Sequence, residues 1–139
     1  MSWSNYPPGV YGLSNGTLDS PWPKVDRGKS LVRNMLEQDE SITTDALITL
    51  MTDREIAADA GLPQTGVSLE LERLLSPSFI SNPDRDYGTR CSTALIVDSD
   101  AITRFSEQSY NLDSTVASRS YFRFSQQDAL ATMASVSGT

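Results

Sequence analysis

The sequence predicts an α+β fold, and three observations carry that expectation. A short β-type run, Val10 to Leu13, stands near the start. Apolar residues then recur at helical spacing between Asp26 and Leu75. After Pro83 the pattern changes to continuous or alternating β-type runs. At 139 residues the chain is one domain's worth of material. It divides into a strand and connector over 1–25, a helical stretch over 26–76, antiparallel strands over 77–124, and a C-terminal helix and tail over 125–139.

Each element has a local reason. Val10 to Leu13 reads as a strand ended by the Ser14-Asn15-Gly16 turn, and Pro21-Trp22-Pro23 as an extended connector, because proline keeps the residue before it out of the helical region. Asp26 is the expected N-cap of a helix burying Leu31, Val32, Met35 and Leu36. A second helix is expected from Thr44, burying Leu47, Ile48, Leu50 and Met51. Thr52 and Glu55 stand at capping-box spacing, which predicts a short third helix stopped by Gly61 and Pro63. Val67, Leu71, Leu74 and Leu75 predict another, ending before Pro77.

Ser92 to Val97 is an unbroken apolar and β-branched run, the pattern of a strand buried on both faces. Asp98-Ser99-Asp100 turns the chain into a strand over Ile102 to Ser109, and Ala117 to Phe124 alternates as a third. The three make an antiparallel meander, with Ser92 to Val97 its most buried member. Ser125 and Asp128 open a final helix carrying Ala129, Leu130 and Met133.

Composition bounds the chemistry. Eleven Lys and Arg against eighteen Asp and Glu give a net charge of −7, which argues against a nucleic-acid partner. No apolar run approaches the ~18 residues of a membrane span, and the first residues carry no secretory pattern, so a soluble, cytoplasmic protein is expected. The single cysteine, Cys91, excludes a disulfide within one chain. The absence of histidine excludes imidazole-based triads and histidine ligation of zinc or haem from this chain.

The residues that remain open to function are few. Asp98 and Asp100 have the chemistry to hold a hard cation, but Asp and Ser are ordinary turn residues, and no metal site is expected. Glu37, Asp39 and Glu40 read as the solvated end of a helix. Cys91 follows Arg90, and a cationic neighbour is one route to a reactive thiol, while a packing role at the edge of a core strand is the commoner reading. In Tyr87-Gly88-Thr89-Arg90 the arginine either grips a carboxylate or phosphate, or pairs with a structural carboxylate. Asn15 is either an oxyanion donor or a simple turn residue. Gly12 to Asn15 and Tyr87 to Arg90 are expected to converge at one end of the sheet.

Taken together, Tyr11-Gly12-Leu13-Ser14-Asn15, Pro21-Trp22-Pro23-Lys24, Leu71-Glu72-Arg73-Leu74-Leu75-Ser76, and Tyr87-Gly88-Thr89-Arg90 with Ser92-Thr93 resemble the NRDE family. This is the family of the animal transport and Golgi organisation protein two. Val97-Asp98, Phe105, Glu107 and Arg119 to Phe124 fit it as well. The resemblance covers the C-terminal half of that family, because its methionine-cysteine start and Asn-Arg-Asp-Glu signature do not occur here.

The resemblance implies a partial N-terminal-nucleophile-hydrolase-like αββα sandwich, an antiparallel sheet with helices. It implies a segment catalytically silent alone, within an intracellular protein that handles haem or a lipid or acyl conjugate. The alternative is part of an amide hydrolase whose cysteine nucleophile lies in the other half. Asn15 and Arg90 would then act as oxyanion donor and anchor for an anionic group. Ser14, Asn15, Trp22, Tyr87 and Arg90 are the candidate binding residues for a small apolar, anionic ligand, with haem as possible cargo rather than cofactor. A half-fold leaves one sheet face to a second copy or to the first half.

Overall fold

The chain forms two compact units, one combining Met1–Ser41 with Asp53–Ser78, the other Ile42–Thr52 with Phe79–Thr139. The computed structural model describes residues 6–38 and 41–125. The result is α+β, with three α-helices and two antiparallel sheets among those residues.

In the first unit, α1 spans Pro23–Glu37 and α3 spans Leu69–Leu75. The first helix starts three residues before the expected Asp26 cap. Pro23 occupies the first turn, where its missing N–H costs nothing, and the carbonyl of extended Trp22 accepts from Val25 and Asp26 at 2.8 and 3.0 Å. Val25 is buried, Val32 and Met35 are half-buried, and Leu31 and Leu36 are exposed, so the buried stripe is narrower than expected.

Val10 to Leu13 is not a strand, and it pairs with no strand among the described residues. Its shape comes from Asp19 instead. Asp19 donates its N–H to the Gly12 carbonyl at 2.7 Å and accepts the Gly12 N–H on Oδ1 at 2.8 Å, which closes a loop over residues 12–19. Asp19 takes the left-handed conformation, φ 57°, and Lys29 of α1 bonds the same Oδ1 at 2.6 Å. Glycine is required at 12, since a Cβ there would stand 2.6 Å from Val25 Cγ1.

The expected third helix from Thr52 is absent. Asp53 Oδ1 accepts the Glu55 N–H at 3.2 Å in a local Asx turn, and the only helical piece is a 3₁₀ turn over Asp59–Gly61. Arg27 of α1 meets Asp53 at 2.6 Å and Glu55 as well, tying this segment back to the helix. Val67 lies outside α3, whose start is fixed by Ser68 accepting the Leu71 N–H at 3.3 Å.

In the second unit, α2 spans Thr44–Leu50, capped by the Thr43 hydroxyl on the Ala46 N–H at 3.1 Å. It buries Ile48 and Thr44, whereas Met51 is exposed. Strands β1 (Ser81–Asn82) and β2 (Tyr87–Gly88) form a small hairpin. The main sheet is the expected meander in the order β3 (Cys91–Val97), β4 (Ile102–Tyr110), β5 (Val116–Ser125). Asp98 makes the first turn, its Oδ1 accepting from the backbone of Asp100 and Ile102 at 3.1 and 3.0 Å.

Burial reverses one expectation. Strand β3 is buried on one face only, through Ser92 and Ala94, while Leu95 and Val97 are exposed. The most buried strand is β4. On the α2 side, Thr44 and Ser106 hydroxyls share a buried 2.8 Å bond. A polar chain runs from Arg119 to Gln108 Oε1, from Gln108 to the Tyr110 hydroxyl at 3.1 Å, and on to Ser92 at 3.3 Å. Phe79 packs edge-on against Tyr110, with ring centroids 4.8 Å apart. Trp3 to Asn5, Asp39, Glu40 and the expected helix after Ser125 lie outside the described residues, apart from Ser125, which ends β5.

Candidate functional site

A cavity of about 180 Å³ opens in the first unit, and residues of three of the four motifs singled out in the sequence line it. Its apolar wall is Trp22, Pro23, Pro63 and Leu75. Its polar lining is Asn15, Lys24, Thr65, Glu72 and Ser76. Asn15 arrives on the Asp19-closed loop, Trp22 and Lys24 on the extended entry and first turn of α1, and Glu72 to Ser76 on α3 and its cap.

Lys24 is the cation of this cavity. Its Nζ donates to the Leu75 carbonyl at 2.9 Å, at the C-terminal end of α3, where the helix dipole favours positive charge. It also lies 5.9 Å from the Trp22 ring centroid. Burial pushes the ammonium below the ordinary lysine range, because its partners are a carbonyl and a ring. Among the described residues, no carboxylate lies within ion-pair distance of it.

Glu72 is 7% exposed, and its Oε1 accepts both the N–H and the hydroxyl of Thr65, at 2.7 and 2.6 Å. Ser76 braces the same wall, accepting the Ala57 N–H at 3.0 Å and donating to the Arg73 carbonyl at 2.8 Å. Arg73 points elsewhere, gripping Asp59 with two bonds of 2.7 and 2.6 Å and holding that carboxyl below its ordinary pKa.

Of the residues expected to bind a ligand, Asn15 and Trp22 line this cavity, whereas Ser14 is half-buried beside it in sequence and does not. Tyr87 and Arg90 belong to the second unit, where Tyr87 is exposed in the β1–β2 hairpin and Arg90 precedes β3. Arg90's carbonyl accepts the Tyr110 N–H at 2.9 Å, and its exposed side chain has no carboxylate partner among the described residues. Cys91 is exposed rather than packed into the core. Asp98 acts as a turn residue. The backbone N–H of Ile102, then Arg104 at 2.9 Å, holds its carboxyl below the ordinary range. No group of three or more metal-ligating side chains occurs among the described residues.

Sequence reasoning passed over Lys24 and Glu72 as site residues. Both sit inside motifs that carried the family resemblance, so the signal was present in the segments and absent from the individual residue types. The family profile described as "Transport and Golgi organisation 2" matches residues 2–112. The chain belongs to the Transport and Golgi organisation 2 family. NRDE is another name for the same family.

A mouse relative named "Transport and Golgi organization 2 homolog" is 33% identical over 107 residues, covering 73% of this chain and 39% of its own length. Bovine and human relatives, each named "Transport and Golgi organization protein 2 homolog", are 33% and 32% identical over the same length. The chain therefore spans about two fifths of the length of the relatives it matches. No helix among the described residues is long and apolar enough to cross a membrane.

Proposed function

We propose that the first unit's cavity receives the anionic end of a small apolar molecule, within an intracellular protein that handles or traffics it. The observation that carries this reading is Lys24, an ammonium held half-buried in a cavity without a carboxylate partner among the described residues. Trp22, Pro63 and Leu75 offer an apolar wall beside it, and the Asn15 side chain a further hydrogen-bonding group. Ligand pockets usually measure ~300–1,000 Å³, so about 180 Å³ suits a headgroup or short acyl segment rather than an enclosed haem. Acyl conjugates are therefore favoured over haem as cargo. The names of the relatives, which speak of transport, agree with a handling role.

The test is titration of the 139-residue chain with octanoate and with haem, read through tryptophan fluorescence in a Trp3→Phe background that leaves Trp22 as the reporter. Saturable quenching by octanoate, weakened tenfold or more in Lys24→Met, is the expected result. A flat response to both ligands removes the proposal. Arg90, proposed as an anchor for an anionic group, lies outside that cavity, so it is tested by Arg90→Ala in a calorimetric titration with octanoate, where unchanged heat and affinity would remove it from the proposal.

A second reading rests on the main sheet. On the face away from α2, Leu95, Phe105 and Phe122 stand in one row across the three strands, with Val97 and Phe124 in the next. Leu95 and Phe122 are each 57% exposed. We propose that this face is one side of a two-sheet sandwich of the N-terminal-nucleophile-hydrolase type, closed by a second copy or by further sequence of the kind that the longer relatives possess. Sedimentation at micromolar concentration tests it for this chain alone. A dimer that Phe122→Ser dissociates supports closure by a second copy, and a well-behaved monomer excludes it. The amide-hydrolase alternative, whose cysteine nucleophile would lie in the family's other half, gives the residues of this sheet face no catalytic role.

A further inference from the structure

The same cavity holds a second charge that an anionic ligand leaves unanswered. Glu72 is more than nine-tenths buried, and Thr65 occupies only its Oε1. Among the described residues, no cation pairs with it, and Oε2 has no protein partner. Oε2 is not among the buried atoms left without a partner, so it is reached from solvent and open to a ligand's donor, while the rest of the side chain is covered. Lys24, lining the same cavity, has the mirror deficit: an ammonium bonded to the Leu75 carbonyl and stacked near Trp22, with no carboxylate.

The two groups do not satisfy each other. They line one cavity and each makes its hydrogen bonds to neutral partners, Thr65 in one case and Leu75 in the other. A ligand bearing a carboxylate alone would answer Lys24 and bring a second negative charge into the cavity that Glu72 lines. A ligand bearing both charges answers both. We propose that the cavity is a receptor for a small zwitterion of the amino-acid class, its carboxylate on Lys24, its ammonium on Glu72 and its aliphatic part against Trp22 and Leu75.

Size agrees. At about 180 Å³ the cavity falls below the ~300–1,000 Å³ of pockets for drug-sized ligands, which suits a free amino acid or the amino-terminal residue of a longer molecule. Asn15 adds a side-chain amide that serves either end of such a ligand. This inference rests on the reading of Lys24 as the anion anchor, and adds Glu72 as the residue that selects among anions.

Calorimetric titration of the full chain with matched probes separates the two. Pentanoate carries only the carboxylate and pentylamine only the ammonium, while norvaline and 5-aminopentanoate carry both at short and long spacing. The expected result is that one of the two amino acids binds at least tenfold more tightly than pentanoate and pentylamine. Glu72→Gln, which keeps an acceptor for Thr65, should bring that amino acid down to the affinity of pentanoate. Pentanoate binding as tightly as both amino acids overturns the zwitterion and leaves the Lys24 reading standing. So does an amino-acid advantage that survives Glu72→Gln. Failure of pentanoate and both amino acids to bind, with Lys24→Met indistinguishable from the parent chain, overturns the anion anchor and the zwitterion together.

Discussion

Gly12 is where the site and the stability of the first unit meet, and Gly12→Ala is the sharpest perturbation of both. The added methyl would stand 2.6 Å from Val25 Cγ1, well inside contact distance. Relief by backbone movement is opposed on both sides. Asp19 binds the Gly12 carbonyl at 2.7 Å and its N–H at 2.8 Å, and Lys29 holds Asp19 at 2.6 Å. Relief by Val25 is opposed too, because a β-branched side chain in a helix is confined almost entirely to one rotamer, and this one is buried.

Overpacking of this kind costs about 1–3 kcal/mol. For a chain of this length each kcal/mol moves the transition by about 4 °C, so Tm should fall by about 4–12 °C in scanning calorimetry. Val25→Ala alone removes two methyl groups, worth about 1.6 kcal/mol at ~0.8 kcal/mol each. The double variant lets the new methyl occupy that space, so it should be less destabilised than the sum of the two singles. Strict additivity, or a Tm unchanged by Gly12→Ala, would refute the steric argument. Because the strained loop carries Asn15 to the cavity, Gly12→Ala should also weaken octanoate binding.

Three further outcomes follow from the same geometry. Lys24→Met should leave thermal stability unchanged or raised while weakening anion binding tenfold or more: burial lowers the folded pKa of Lys24, so at neutral pH its charge opposes folding, a penalty relieved only as pH rises through the folded value, and loss of stability in a melt would contradict this. Asp98, Asp19 and Asp59 all have lowered folded pKa values, set first by the Ile102 N–H, by Lys29 and by Arg73 respectively. Their contribution is therefore complete above the ordinary aspartate pKa near 4 and lost as pH falls through the lowered values, so urea midpoints should drop at acid pH, and by less in Asp98→Asn. Thr44→Val should cost about 1–3 kcal/mol, because it strands the Ser106 hydroxyl, which is 1% exposed, and adding Ser106→Ala should recover part of the loss.

The second-unit meander was legible because its signals are local. Alternation in Ala117 to Phe124 and Asp-Ser-Asp at the hairpin specify strands and a turn without reference to the rest of the chain. The start of α1 was misplaced because proline in the first helical turn reads as a connector as readily as a helix start. The Val10 to Leu13 segment was misread because Asp19, seven residues beyond Gly12, shapes it through bonds that no periodicity reports. The same holds for the site. Asn15 and Trp22 were expected from their motifs, but the pairing of Lys24 with the end of α3, 51 residues away, is a tertiary fact.

The main sheet shows most plainly where hydrophobic pattern and burial part company. Leu95 and Val97 lie in an apolar run that predicts burial on both faces, yet the covered face holds Ser92, Ser106 and Gln108, and the Phe and Leu row faces away from α2. A one-residue slip in register would exchange the two faces, placing the aromatics under α2 and the hydroxyls in water. The hydrogen bonds oppose that slip. Thr44 needs Ser106, Tyr110 needs Ser92, and Arg119 needs Gln108, each on the α2 side. Polar complementarity therefore fixes which face meets the helix, and at ~25 cal/mol per Å² the apolar face keeps its stabilisation in reserve for whatever covers it. Removing Phe122 should consequently cost the isolated chain little stability and cost its assembled form far more.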